Sequence, residues 1–311
     1  MSRLERIGER LGLSEALLGI VAAIAADAPE ISAAVSALAS HQQSVGAGVV
    51  LGSNVFNLAA LLGLGAVVAG QIWLHRRVAA LSGLIGLWIA LVAVLAVTGA
   101  VPVDWSLVLA VVVLAAYLVL LGTEAQGPVW RKLPEGWRTW LRSAVTEEEI
   151  ELDDAIRPAP ARWPDVAVAA VALVVVVVAS VTMEHAAADV GTRYRIPEII
   201  TGGLILAAVT SLPNAVAAVY LASRGRGAAT LSTALNSNTI NVVAGLLLPG
   251  AILGLGPVSG RSVLVTLWYA GLTLVVLIVA YRYRGLSRRT GGLIVIAYLV
   301  FIATLVAGAR A

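Results

Sequence analysis

Asp27 and Glu30 stand one helical turn apart in the middle of an apolar stretch running from 14 to 40. An aspartate at the centre of a membrane helix costs about 2.5–3.5 kcal/mol on insertion scales, so two carboxylates on one face call for a compensating charge. No lysine or arginine falls inside the neighbouring apolar stretches at 45–70, 196–222 and 228–253. The partner left is a bound cation or a proton. Neutral oxygens are available at comparable depth from Ser53, Asn57, Thr210, Ser211, Asn214, Ser237 and Asn241. Pro29 and Pro213 each remove an amide donor, which frees the carbonyls of Ala25 and Val209 as further oxygen ligands. An oxygen-only set with two carboxylates suits a hard ion such as calcium or sodium better than a soft transition metal.

Other polar residues have plainer readings. Hydroxyl residues in membrane helices commonly mediate packing, and Asn54 and Asn238 read as interhelical hydrogen-bonding residues outside the site. His41, His75 and His185 fall near expected helix ends and read as interfacial. Glu184, Asp189 and Glu198 are expected to face external water, where they would attract cations without binding them specifically.

The elements that position the carboxylates follow from composition. The 311 residues are 59% hydrophobic and 13% charged, with a mean hydropathy of +0.93, which fits a lipid environment and not a soluble domain. Cysteine is absent, so no disulfide, thiolate metal site or thiol nucleophile is possible. The net charge of +3 is explained by basic residues on one membrane face, and nucleic acid is not expected as a partner. The charged start, Met1 to Leu13, lacks a processing site and reads as retained.

Stretches of spanning length occur at 14–40, 45–70, 78–99, 104–123, 164–188, 196–222, 228–253, 261–281 and 290–308. The expected fold is therefore an all-α polytopic membrane protein with nine spans. A polar segment, 124–163, separates a first half (1–123, four spans) from a second (164–311, five spans). With the N-terminus cytoplasmic, seventeen of the twenty-one basic residues lie inside, which predicts a cytoplasmic 124–163 loop and an external C-terminus in a cell-membrane protein. In that loop Trp130, Leu133, Trp137, Trp140 and Leu141 share a helical face, predicting an interfacial helix, and the acidic run from Glu147 to Asp154 reads as a solvated linker. The run has no calcium-loop spacing.

The chain also repeats itself. Residues 19–60 laid on 203–244 without a gap align Pro29, Ser53, Asn54 and Asn57 with Pro213, Ser237, Asn238 and Asn241. Five crossings separate the copies, so they run in opposite directions through the bilayer. An inverted-topology repeat places a transporter's substrate near the midplane, between the two copies.

These motifs, Ala26-Asp27-Ala28-Pro29-Glu30 with Gly52-Ser53-Asn54-Val55-Phe56-Asn57 and Thr210-Ser211-Leu212-Pro213-Asn214 with Asn236-Ser237-Asn238-Thr239-Ile240-Asn241, resemble the alpha-repeats of the sodium/calcium exchanger family of the cation/calcium antiporter superfamily. The family repeats read approximately GTSLPE and GSNIFN or GSNIFD. The resemblance implies alternating access by sliding helices and a ten-helix fold, of which this chain is expected to lack the opening helix. It assigns Glu30 to the principal calcium ligand of the first repeat. Ser53 and Asn57 match polar site positions, and Thr210, Ser211 and Ser237 their second-repeat counterparts. The chain departs from the pattern in four places: Asn214 replaces the second glutamate, Asn241 stands where aspartate is common, and Ala26 and Asp27 replace threonine and serine. Both carboxylates thus sit on one helix.

The functional expectation is a secondary active cation antiporter, not an enzyme, exchanging calcium for sodium or protons. Its ligands are the transported cations and it needs no cofactor. The lipid bilayer is its solvent, and the sequence leaves the oligomeric state open, a monomer included. The alternatives are a monovalent cation/proton exchanger with an altered site and a non-transporting membrane scaffold. An intramembrane hydrolase is disfavoured, because no Ser/His or paired-Asp arrangement sits at matching depth on separate helices.

Overall fold

A computed structural model describes residues 26–122, 134–153, 163–256 and 259–307. Features expected at the charged N-terminus, the Ala25 carbonyl, Trp130, Leu133 and the C-terminal residues lie outside them. The protein is helical apart from one short ribbon. Helix α1 (Ala28–Ala39) turns at His41 into α2 (Gln43–Asn57), which continues through a π-helical segment (Leu58–Leu64) into α3 (Gly65–Ala69). Strand β1 (Gln71–Trp73), α4 (Arg76–Val97) and α5 (Val103–Gly122) complete the first half. Helix α6 (Glu135–Asp153) precedes the long α7 (Trp163–Tyr194). The second half continues with α8 (Glu198–Ile200), a second π segment (Thr201–Leu206), α9 (Ala207–Thr210) and α10 (Leu212–Ser223). Helix α11 (Gly227–Ile240), a third π segment (Asn241–Leu247) and α12 (Leu248–Leu253) come next. Helix α13 (Gly260–Tyr283), strand β2 (Gly285–Ser287) and α14 (Arg288–Ala307) end it.

Six described stretches are long and apolar enough to cross a membrane, and a seventh if the bent pair Glu198–Thr210 and Leu212–Ser223 is one span. The other two expected spans, Ala28–Ala39 and Val103–Val119, are shorter apolar helices among the described residues. The count of nine is therefore not reached by this measure. Large apolar side chains cover the outward faces, including Val171, Val174, Val175 and Val178 on α7, Leu274 and Ile278 on α13, and Ile296 and Val300 on α14. That exposure is stable only against lipid.

Between the helices the packing is close because the residues are small. Helix α2 lies across the second π segment, where Gly48 and Gly52 meet Gly203, and Gly202 meets Val45, at backbone contact. A Cβ on Gly52 would overlap the carbonyl oxygen of Gly203. Without a hydrophobic driving force between helices in lipid, this close approach is what generates contact energy.

One end of the molecule is tied together by the connecting segments. Strands β1 and β2 pair antiparallel, Ile72 opposite Leu286. Arg288 donates to the carbonyl of Val67, and Arg77 to Ser143 of α6. Three segments expected on one membrane side, those around 70–77, 135–153 and 282–289, thus share a face. The acidic run differs from expectation: Glu147 to Asp153 continue α6 as helix and are not a linker. The same helix buries Leu141 and Ala144 and exposes Trp137.

Candidate cation site

The two motif-bearing stretches start a new helix at equivalent places. Asp27 precedes α1 with φ −90° and ψ 1°, and Ser211, 184 positions later, precedes α10 with φ −84° and ψ −2°. The second break bends the span by 49°. Pro29 and Pro213 therefore sit in the first turn of a new helix, where the missing amide is tolerated, and are not mid-helix interruptions. Asp27 and Ser211 are residue types that normally cap a helix with their side chains, yet neither does so. Both side chains reach across to the opposite repeat.

Asp27 and Glu30 are fully buried, with 1% and 0% exposure. Asn214 Nδ2 donates to Asp27 Oδ1 at 2.7 Å, and Ser237 Oγ donates to the same oxygen at 2.5 Å. Ser211 Oγ donates to Glu30 Oε1 at 2.8 Å. Each carboxylate accepts with one oxygen only, and Asp27 Oδ2 and Glu30 Oε2 are buried without a hydrogen-bond partner. No arginine, lysine or histidine among the described residues forms an ion pair with either. The N-terminal end of α1 supplies a partial positive charge there, worth up to about 2 kcal/mol in buried geometry, too little to neutralise two carboxylates.

The asparagines extend the cluster. Asn57 Nδ2 donates to Ser237 Oγ at 3.1 Å and to Asn238 Oδ1 at 3.0 Å, and its equivalent Asn241 donates to Asn54 Oδ1 at 3.3 Å. The freed acceptors, Asn57 Oδ1 and Asn241 Oδ1, are again buried and unpartnered. Four orphaned oxygens, two of them on carboxylates, are thus buried on residues that bond across the repeat interface. Buried acceptors without donors are rare in proteins, and a cation, a proton or an ordered water is the kind of group that satisfies them.

Of the nine residues expected at the site, Asp27, Asn214, Ser237 and Asn57 join one hydrogen-bonded set, Asn241 joins it through Asn54, and Glu30 and Ser211 form a separate bonded pair across the same repeat interface. Ser53 and Thr210 are buried nearby in sequence but direct their hydroxyls to their own helices, Ser53 to the carbonyl of Val50 at 2.9 Å and Thr210 to that of Leu206 at 2.9 Å. Their lone pairs stay available, though their protons do not reach the carboxylates. Asn54 and Asn238, set aside from the sequence, are central: each donates its Nδ2 to the other's backbone carbonyl at 3.1 Å, a reciprocal clamp on the pseudo-two-fold axis. Their identical place in both repeats was the available signal. Tyr269 on α13, buried and hydrogen-bonded to Asn54, was not anticipated. A tyrosine mid-span needs a partner for its hydroxyl, and that was its only mark. Among the described residues, no cluster of three or more His, Cys, Asp or Glu side chains capable of holding a metal ion forms.

Sodium/calcium exchanger protein is the family matched, over residues 1–124 and 165–307. The sodium/potassium/calcium exchanger Nckx30C of Drosophila melanogaster is 31% identical over 121 residues, which is 36% of this chain and 14% of that protein, so the chain accounts for a small part of that relative. Among solved structures, the sodium-calcium exchanger NCX_Mj soaked with sodium and strontium superposes with a TM-score of 0.57 at 21% identity, over 97% of this chain and 91% of that one. The H+/Ca2+ exchanger CAX superposes with a TM-score of 0.66 at 15% identity, over 99% of this chain and 81% of that one. At such identities the two structures speak to the fold alone. The family match covers most of the sequence, both alpha-repeats included, and the chain belongs to the sodium/calcium exchanger protein family.

Proposed function

We propose that the protein is a secondary active antiporter that moves calcium across the cell membrane in exchange for sodium or protons. The observation that carries this reading is the pair of buried carboxylates, Asp27 and Glu30, each with one oxygen hydrogen-bonded across the repeat interface and one left open. A divalent ion between the open oxygens would be neutralised by two charges and completed by Asn57, Asn241 and the hydroxyls of Ser53 and Thr210. Emptying the site of calcium would oblige sodium ions or protons to enter, because two bare carboxylates are not tolerated in a low-dielectric interior. That obligation couples the two fluxes. The kinks at Asp27 and Ser211 let α1 and α10 move relative to the rest of the fold, with the site alternately open to either face. The relatives named above, which exchange sodium, potassium, protons and calcium, support the reading at the level of cation antiport. The chain reads as two repeats, 1–123 and 164–311, joined by a cytoplasmic loop at 124–163.

Calcium uptake into proteoliposomes, driven in turn by an outward sodium gradient and an outward proton gradient, tests the proposal. Uptake with either gradient, lost in Glu30→Gln, is the expected result. Uptake of sodium against protons without calcium movement would favour the monovalent exchanger. That reading has its own support in the second repeat, where Asn214 holds the place of a carboxylate and donates a hydrogen bond instead. No ion movement, with no cation-specific thermal stabilisation, would leave the scaffold reading.

A further inference from the structure

Glu184 was expected to face water, but its side chain is 0% exposed. It lies on α7 against α1, where Ser36 Oγ donates to Glu184 Oε2 at 2.8 Å. His185 Nδ1 approaches the same oxygen at 3.4 Å, and its ring is 55% exposed. Glu184 Oε1 is buried without a hydrogen-bond partner. A third buried carboxylate therefore bonds to α1 six residues beyond Glu30, about 9 Å along the helix axis and about a third of a turn around it.

Its depth follows from α7. The helix has 32 residues and is about 48 Å long, against a hydrocarbon thickness of about 30 Å. Its outward stripe is apolar at Val171, Val174, Val175 and Val178, then polar at Thr182, His185 and Asp189, with Arg193 in its last turn. The twenty residues from Trp163 to Thr182 match the hydrocarbon, so the change of stripe marks its edge. His185 lies just beyond that edge, in interfacial water, and Glu184 just behind it, within the protein.

Exposed imidazole, buried carboxylate and α1 hydroxyl form a short chain from water to α1, the helix that carries Glu30. We propose that Glu184 is a proton-accepting group at the α7–α1 contact, loaded from water through His185 at the face where α1 turns into α2, which the basic-residue count makes external. In the loading step the imidazolium Nδ1–H bond breaks and the proton bonds to Glu184 Oε2, leaving both groups neutral. The pair's net charge is zero before and after, and the imidazole regains its proton from water. Contact distance shortens by a few tenths of an ångström, or one water bridges it. The ionisable groups on the packed elements are few: Asp27 and Glu30 lie deeper on the α1 side, the second π segment has none, and Asp189 and Glu198 are exposed. A neutral Glu184 rests against Ser36, whereas an ionised one is a buried charge that weakens the α7–α1 contact. The pH at that face thus sets how readily α1 moves.

The coupling to ion movement rests on the antiport reading, but the proton site does not, and infrared difference spectroscopy separates them. In nanodiscs, a pH step should give a protonated-carboxyl band that Glu184→Gln removes and Asp27→Asn leaves. In proteoliposomes, Glu184→Gln and His185→Gln should each abolish the dependence of calcium uptake on external pH while calorimetric calcium binding is unchanged. Glu184→Gln keeps the Ser36 bond, and the exposed His185→Gln serves if it misfolds. A band unchanged in Glu184→Gln, or a Glu184 carboxylate signal that shifts with calcium or sodium instead of pH, overturns the proposal. A band that behaves as expected in a protein that carries no calcium sinks the antiport reading alone.

Discussion

Asp27 and Ser211 occupy the same kink, and Glu30 and Asn214 the same first turn, 184 positions apart. The contacts they make are related by the pseudo-two-fold axis: Ser211 meets Glu30, and Asn214 meets Asp27. The chemistry is not related in that way. In both contacts the donor comes from the second repeat and the acceptor from the first. Ser237 follows the same rule by donating to Asp27, while its equivalent Ser53 turns back to its own helix. Backbone symmetry is thus kept where it serves packing and movement, as in the Asn54–Asn238 clamp, and lost where charge is concerned. An inverted repeat fixes where polar side chains meet; it does not fix which of them carries the charge.

Substitutions can break or sharpen this comparison. The largest effect is expected from Glu30→Gln, which leaves one carboxylate for a divalent ion and should abolish calcium binding in isothermal titration; Asn214→Gln should retain it. Next comes Asn214→Asp. It removes the donor to Asp27 and adds a third carboxylate, so the variant should melt below wild type without divalent ions and regain its melting temperature as calcium is added. A variant whose stability ignores calcium would show that Asn214 does not line the site.

The serines offer a smaller and more discriminating contrast. Ser237→Ala deletes a bond to a carboxylate, worth about 1.5–3 kcal/mol, and should weaken calcium binding by roughly tenfold or more. Ser53→Ala deletes a bond within a helix and should weaken it far less. Equal losses would make Ser53 a ligand of the same rank and restore the symmetry. Smallest and most even are the clamp variants: Asn54→Ala and Asn238→Ala should each lower stability by about 1–2 kcal/mol in reversible unfolding. A marked inequality would mean that the Tyr269 contact to Asn54, which has no second-repeat equivalent, carries the difference.

Much of this could be read from residues alone, and the exceptions have physical causes. Long apolar spans show in composition, so 78–99 and 261–281 anticipate Arg76–Val97 and Gly260–Tyr283 closely. The repeat was visible because polar residues at fixed spacing are costly in lipid and stand out. The breaks at Asp27 and Ser211 were not, since a proline in the second turn position and one in mid-helix look alike in sequence. Hydroxyl orientation was equally hidden: Ser53 and Thr210 can satisfy themselves on their own carbonyls, and only packing decides whether they do. Glu184 was misplaced because hydropathy gives a helix's length but not which face meets a neighbour. The acidic run was read as a linker from its charge, although glutamate is a good helix former.

The central claim is that Asp27 supplies the negative charge the second repeat has lost. Calcium titration by isothermal calorimetry of wild type, Asp27→Asn and the double variant Asp27→Ser with Asn214→Glu tests it directly. The account predicts binding in the wild type, none in Asp27→Asn, and recovery in the double variant, whose charge total matches the wild type but is shared across the two repeats. Wild-type affinity in Asp27→Asn would contradict it and remove Asp27 from the site.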